Sequence, residues 1–132
     1  MKVLALDYGS ARTGVAVSDP TGTVARPVGV FDRAGTEAGL ERLADLIRSE
    51  EAELVVVGLP LTMRGAHGEQ ADEALLFVDA LRRAVDVPVE SFDERFTTDL
   101  AERDPFGDAP EDARAAAHLL STYLAWSSGG EG

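Results

Sequence analysis

A chain of 132 residues has the length of one domain and can bury a core without the help of disulfides. The absence of cysteine excludes thiolate catalysis, zinc–thiolate centres and disulfide bonds. The 24 acidic and 12 basic residues give a net charge of −12, which argues against tight nucleic-acid binding by charge alone.

The first part of the chain predicts three short strands. Apolar runs at Lys2–Leu6, Gly14–Ser18 and Thr23–Phe31 are separated by turn-like segments, as in an antiparallel meander. Pro27 lacks an amide hydrogen, so it predicts an edge position or a bulge for the third strand. The N-terminus shows no export signal, and no apolar run approaches the roughly 20 residues that span a membrane. We therefore expect a cytoplasmic protein with no membrane partner.

After the third strand, segments with the hydrophobic period of a helix alternate with segments that have the pattern of a strand. Thr36 is a candidate N-cap for a helix that ends at Ser49. The β-branched run Leu54–Leu59 predicts a strand buried on both faces. A second amphipathic helix over Ala71–Val85 leads to a fifth strand, Val87–Phe92.

A last helix is predicted to open at Pro110 and to carry a stripe of alanine and leucine. The order β-β-β-α-β-α-β-α predicts an α/β fold, with a mixed five-stranded sheet flanked by helices. No linker divides the chain, so we expect one domain over residues 1–126 and a disordered tail over residues 127–132. Trp126 is expected to cap the core rather than to meet a second subunit.

Carboxylates are predicted to converge at one end of this sheet. Asp7 follows the first strand, Asp93 and Glu94 follow the fifth, and Asp112 lies in the first turn of the last helix. Each position also has an ordinary explanation, as a hairpin turn, as solvated strand-end acids or as an acid favoured by the helix dipole. Together, close carboxylates repel each other unless cations lie between them.

An oxygen-only ligand set without histidine or cysteine favours magnesium or manganese. Two such ions about 4 Å apart can activate water and stabilise the leaving oxygen in phosphodiester hydrolysis. Because side chains alternate along a strand, only one of Asp93 and Glu94 is expected to face Asp7. Gly9 permits close approach by a ligand, and the amides of its loop could face phosphate oxygens. Arg64 is a weaker candidate for contact with a nucleic-acid backbone, and a solvated arginine is the plainer interpretation.

Four segments, in this order, resemble the bacterial YqgF family, also called RuvX: LALDYGSARTGVAVSD, LVVVGLPLTMRG, DERFTT and EDARAAAHLLSTYL. The resemblance covers residues 2–126, and the combination of GLPL-x-M-x-G with DER-x-[ST]-T is highly specific. It implies an RNase H-like nuclease related to RuvC, acting in 5′-end processing of pre-16S rRNA or in resolution of Holliday junctions. It also implies Asp7, Glu94 and Asp112 as the catalytic, metal-binding carboxylates. Arg12 and Arg95 are then candidates for charge-assisted phosphate contacts.

The chain departs from this family between the DER motif and the last helix, where a longer, basic segment is usual. Residues 90–112 hold nine acids and two arginines, so few phosphate contacts are expected there. Two alternatives stay open: a non-catalytic nucleic-acid-binding or ribosome-assembly factor, and a nucleotide-binding module of the actin and sugar-kinase type. The second normally needs two such domains. A resolvase would also require a homodimer, since symmetric cutting of a four-way junction needs two active sites.

Overall fold

The computed structural model describes residues 1–59, 69–93 and 106–129 of the chain. In chain order the elements are β1 (Val3–Asp7), β2 (Arg12–Ser18), β3 (Ala25–Asp32), α1 (Glu37–Ser49), β4 (Leu54–Leu59), α2 (Glu69–Ala84), β5 (Val89–Asp93) and α3 (Glu111–Gly129). The predicted order of strands and helices is confirmed. Within these ranges, no helix is both long enough and apolar enough to cross a membrane.

The strands form one mixed sheet in the order β3-β2-β1-β4-β5. The first three strands pair antiparallel, whereas β1 pairs parallel with β4, and β4 pairs parallel with β5. The parallel strands β1, β4 and β5 therefore end on the same side of the sheet, which we call the carboxyl edge. Asp7, Leu59 and Asp93 are their last residues.

Helices cover both faces of the sheet, and alternate residues of β1 show how the core is divided. Val3 and Ala5 pack in one cluster with the apolar stripe of α3. Leu4 and Leu6 pack in a second cluster with residues of α1 and α2. We call these the α3 face and the α1/α2 face. The interior strand β4 is buried over its whole length, as predicted.

An aspartate turn makes β3 begin at Ala25 rather than at Thr23. The Asp19 carboxylate accepts hydrogen bonds from the amides of Thr23 at 2.8 Å and Val24 at 2.9 Å. These amides are therefore unavailable to a neighbouring strand. The Thr21 hydroxyl and the two amides hold the pKa of Asp19 well below its usual range.

Proline explains the irregularities of both edge strands. β3 lies at the edge of the sheet, and its register against β2 shifts at a bulge beside Pro27, so both expectations for this residue are confirmed. β5 begins at Val89 rather than Val87, because Pro88 has no amide hydrogen to donate. The Pro88 carbonyl instead accepts a hydrogen bond from the Val55 amide at 3.0 Å.

Helix starts follow capping chemistry. Thr36 is the N-cap of α1, as predicted, and its hydroxyl accepts a hydrogen bond from the Gly39 amide at 3.1 Å. α3 begins at Glu111, so Pro110 lies just before the helix rather than in its first position. The Pro110 carbonyl accepts a hydrogen bond from the Arg114 amide at 2.9 Å, which is the bonding of an N-cap residue.

The end of α3 differs from two expectations. The helix continues to Gly129, so residues 127–129, assigned above to a disordered tail, are helical. Trp126 is 61% exposed, so the expectation that it caps the core is wrong. Tyr123 and Leu124 already close the core beneath it, and the helical period turns position 126 outwards.

Candidate active site

Asp7 stands at the carboxyl edge as the last residue of β1, and it is half-buried. Its side chain shares the α3 face with Val3 and Ala5, because residues two apart along a strand point the same way. Tyr8, the next residue, stacks on Phe77 of α2 with ring centroids 4.5 Å apart. Burial, with a contribution from Glu73, raises the pKa of Tyr8. This packing fixes the end of β1 and so the position of Asp7.

A row of paired residues crosses the sheet at the level of Asp7. Asp7 pairs with Gly14 of β2 on one side and with Gly58 of β4 on the other. Gly58 pairs in turn with Phe92 of β5. We call these four residues the Asp7 row. Because both strand neighbours of Asp7 are glycines, neither of them places a side chain beside its carboxylate.

Gly14 brings the start of α3 beside Asp7. A Cβ built on Gly14 would lie 1.8 Å from the carbonyl oxygen of Asp112, so the first turn of the helix rests directly on this glycine. Paired residues of antiparallel strands have Cα atoms about 5 Å apart. Asp112 therefore lies close to Asp7 on the same face of the sheet. The sequence did not single out Gly14 for this role, although a glycine inside a strand is a known sign of close backbone approach.

Arg12 places a positive charge beside one of the two predicted acids, Asp112. Its Nε lies 3.4 Å from Oδ2 of Asp112, and the two side chains are 67% and 39% exposed. Arg12 shares the α3 face with Gly14, two residues further along β2. Its guanidinium is exposed to solvent beside Asp112, and contact with a phosphate stays a prediction.

The loop between β1 and β2 is held tightly by Thr13, which is fully buried. The Gly9 amide lies 3.5 Å from the Thr13 hydroxyl, which in turn donates to the Gly9 carbonyl at 3.4 Å. A Cβ on Gly9 would lie 2.5 Å from the carbonyl oxygen of Arg12, so the hairpin needs glycine here for packing. Contact between Gly9 and a ligand stays a prediction.

The end of β5 shows the direction of Asp93, one of the two acids between which the sequence did not decide. Phe92 belongs to the α3 cluster, and Glu90 accepts a hydrogen bond from Tyr123 of α3 at 2.9 Å. Asp93, one residue after Phe92, therefore points to the α1/α2 face, away from Asp7. Glu94 lies outside the described residues, as do Arg64 and Arg95.

The described part of the site offers two carboxylates, Asp7 and Asp112, and one guanidinium. Among residues 1–59, 69–93 and 106–129, no group of three or more histidine, cysteine, aspartate or glutamate side chains surrounds one point. The acids present are hard oxygen donors, the kind of ligand that magnesium and manganese prefer. A third ligand would have to come from outside these ranges.

Comparisons with known proteins give consistent results along the whole chain. The family model described as RuvX, Holliday junction resolvase, matches residues 1–126. A protein of Roseiflexus sp. (strain RS-1), named as a pre-16S rRNA nuclease, is 46% identical over 102 residues, covering 77% of this chain and 72% of the relative. A protein of Anaeromyxobacter sp. (strain Fw109-5) with the same name is 42% identical over 132 residues, covering 94% and 96%.

Solved structures agree on the architecture. RuvC of T. thermophilus, in complex with a Holliday junction substrate, superimposes with a TM-score of 0.70 at 18% identity, covering 98% of this chain and 96% of RuvC. The fowlpox virus Holliday junction resolvase gives a TM-score of 0.54 at 15% identity, covering 96% and 99%. At such identities the likeness shows the fold alone. The predicted RNase H-like fold with a mixed five-stranded sheet is confirmed.

Proposed function

Because the chain belongs to the RuvX family of Holliday junction resolvases, we propose that it is a metal-dependent nuclease. Its reaction is the hydrolysis of phosphodiester bonds. Asp7, Glu94 and Asp112 bind the metal ions and are its catalytic residues. The observation that supports this most is the contact of the first turn of α3 with Gly14, which brings Asp112 next to Asp7.

The positions of these acids suit a cation site. Asp7 is half-buried at a strand end that Tyr8 holds in place, so it has little freedom to move away from a like charge. Two carboxylates on one face repel each other, and a divalent cation relieves that repulsion. Asp93 points to the opposite face, which leaves Glu94, the next residue in the DER motif, as the third ligand of the proposal.

A pair of magnesium or manganese ions would supply an activated water and stabilisation of the leaving oxygen. The protein's own residues contribute position and charge. Asp7 and Asp112 hold two oxygen ligands on separate, rigid elements, a strand end and a helix start. Arg12 lies against Asp112 with an exposed guanidinium, which can bind a phosphate oxygen by a charge-assisted hydrogen bond. Arg64 and Arg95 are proposed to add phosphate contacts, and Gly9 to line the path of the strand.

The names of relatives suggest the substrate. The Roseiflexus and Anaeromyxobacter proteins are named for pre-16S rRNA, so we propose 5′-end processing of this precursor, in the cytoplasm, as the main reaction. The family description names Holliday junctions, so branched DNA is the second substrate to test. Symmetric resolution would require a homodimer, whereas trimming of RNA would not.

Cleavage assays with matched variants test this proposal. The protein is incubated with magnesium or manganese and with precursor rRNA, single-stranded RNA and DNA, and four-way DNA junctions. We expect Asp7→Asn, Glu94→Gln and Asp112→Asn to lose at least about a hundredfold in rate, because each removes a metal ligand. Asp93→Asn carries the same change of charge on the opposite face and should cut at the wild-type rate.

Two results would contradict the proposal. One is cleavage of no substrate by the wild-type protein with either metal, which would favour the non-catalytic binding factor. The other is undiminished cleavage by Asp7→Asn.

A further inference from the structure

Trp126 forms an exposed aromatic surface on a buried aromatic base. Its ring centroid lies 5.7 Å from that of Phe92 and 5.9 Å from that of Tyr123. Phe92 and Tyr123 are only 7% and 8% exposed, whereas Trp126 is 61% exposed. The indole is thus held from one side by two fixed rings and open to solvent on the other.

This surface lies on the face of the sheet that carries Asp7, at the opposite end of α3 from Asp112. Phe92 belongs to the Asp7 row and points to the α3 face, as Asp7 does. Two strand spacings separate them, which is about 10 Å. The Trp126 ring contacts Phe92 from α3, and 14 residues of this helix, about 21 Å, separate Trp126 from Asp112. An extended nucleic-acid strand of several nucleotides can therefore reach from the carboxylates to the indole.

The charge of the protein favours a base over a phosphate as the ligand here. The net charge is −12, and residues 90–112 hold nine acids and two arginines. A chain with so few cations needs a source of affinity that does not depend on phosphate contacts. Stacking of a base on an aromatic ring provides it, because every base has an apolar face.

Among the described residues, the positions beside Trp126 on the outer side of α3 carry small side chains. Its neighbours on the outer side of α3, Thr122 and Ala125, are small side chains that leave the indole accessible. The other large apolar side chains that are exposed within the described residues are Met1, Val24 and Leu76, which lie outside α3. A stable dimer usually buries about 800 Å² on each partner around an apolar centre.

We propose that Trp126 is a stacking site for an unpaired nucleobase of the strand that the proposed active site at Asp7, Glu94 and Asp112 cleaves. This site rests on the proposed nuclease function and adds to it a substrate with an unpaired nucleotide several positions away from the cut phosphate. The indole supplies binding of the substrate, and Phe92 and Tyr123 keep the ring in place before the strand arrives.

Intrinsic fluorescence tests the contact directly, because Trp126 is the single tryptophan of the chain. Short oligoadenylates in ribose and deoxyribose form are titrated into the full-length protein with Ca²⁺, and an abasic strand of the same length is the control. We expect both oligoadenylates to quench the emission and the abasic strand to leave it unchanged. Stronger binding of one sugar form would identify RNA or DNA as the preferred strand.

Variants measure how much the contact contributes. Trp126→Ala should weaken binding of oligoadenylate about tenfold, while Trp126→Phe should retain most of it. Binding of the abasic strand should not change in either variant. Leu76→Ala removes a large side chain that is similarly exposed, at 69%, on the other face, and should bind like the wild type.

Three results would overturn the stacking site. The first is that the wild type does not bind oligoadenylate. The second is that binding measured by anisotropy reaches saturation without quenching the emission. The third is that the wild type is a dimer which Trp126→Ala disrupts, while the affinity for oligoadenylate does not change. Cleavage assays separate this outcome from the nuclease proposal. If Trp126→Ala cuts nucleic acid as fast as the wild type at every substrate concentration, the proposed stacking site is wrong, while the proposed nuclease activity stands.

Discussion

Gly14 decides where α3 begins to pack, although it has no side chain. Strand-end and helix-start patterns predicted the positions of Asp7 and Asp112 separately, and both positions are as expected. The pattern did not reveal that the helix lies directly on β2, because a glycine in a strand does not say which element approaches it. Glu94, Arg64 and Arg95 lie outside the described residues, so their roles stay predictions.

Replacing Gly14 by alanine tests this packing. The added Cβ would lie 1.8 Å from the Asp112 carbonyl oxygen, so the start of α3 must shift. We expect a loss of about 1–3 kcal/mol in the free energy of unfolding, together with a strong loss of nuclease activity. Urea denaturation followed by circular dichroism measures the first effect, and the cleavage assay measures the second.

Gly29→Ala is the matched control, since a Cβ at Gly29 has no atom within 4 Å. It should leave stability unchanged or raise it slightly, because alanine reduces the entropy of the unfolded chain. Equal stability and activity of the two variants would contradict the close packing of α3 on β2.

Arg12 is expected to compete with metal ions for Asp112. Its Nε lies 3.4 Å from a carboxylate oxygen that the proposal assigns to the metal. Arg12→Gln removes this charge, so manganese should bind about two- to fivefold more tightly, the size of an exposed ion pair. Calorimetric titration with Mn²⁺ measures the change. At the same time the variant should cleave more slowly, because a phosphate contact is lost.

Arg48→Gln provides the comparison at equal net charge. Arg48 pairs with Asp45 on α1, on the other face of the sheet. If Mn²⁺ binds Arg12→Gln no more tightly than it binds Arg48→Gln, Arg12 is not a competitor for the site.

Among the elements, α3 connects the site to the far edge of the sheet. Its first turn rests on Gly14 of β2, and its last turns contact β5 through Tyr123 and Trp126. The apolar stripe of alanine and leucine predicted that this helix packs on the sheet. It did not predict the hydrogen bond from Tyr123 to Glu90 or the exposure of Trp126, since the direction in which the helix crosses the strands is set by tertiary packing.

Alkaline unfolding tests the attachment of α3 to β5. Burial and the hydrogen bond to Glu90 raise the pKa of Tyr123 to about 12, from 10.0 in the unfolded chain. A raised pKa means that the folded state keeps its proton longer, so this contribution is complete below pH 10 and is lost as the pH approaches 12. We expect the urea concentration at the unfolding midpoint of the wild type to decrease as the pH rises from 10 to 12, and that of Tyr123→Phe to decrease less. If the unfolding midpoint decreases equally with pH in the two proteins, the buried, hydrogen-bonded state of the Tyr123 phenol is contradicted.

At the scale of the whole molecule, the sequence predicted the element order and the mixed sheet because the hydrophobic period changes clearly after Thr36. The strand ends were less predictable, as with the Asp19 turn before β3 and Pro88 before β5, where local hydrogen bonds rather than hydrophobicity decide. The net charge of −12 is a property of the whole surface. We expect it to limit phosphate contacts and to give the proposed base stacking and metal ions a larger share of substrate binding.

The most direct test of the central proposal is a crystal structure with Mn²⁺, located by its anomalous scattering. We predict a manganese peak on the α3 face at the carboxyl edge, with carboxylate oxygens of both Asp7 and Asp112 about 2.1 Å away. Saturating manganese with no peak at these two residues, or with a peak only elsewhere, would contradict the assignment of the active site.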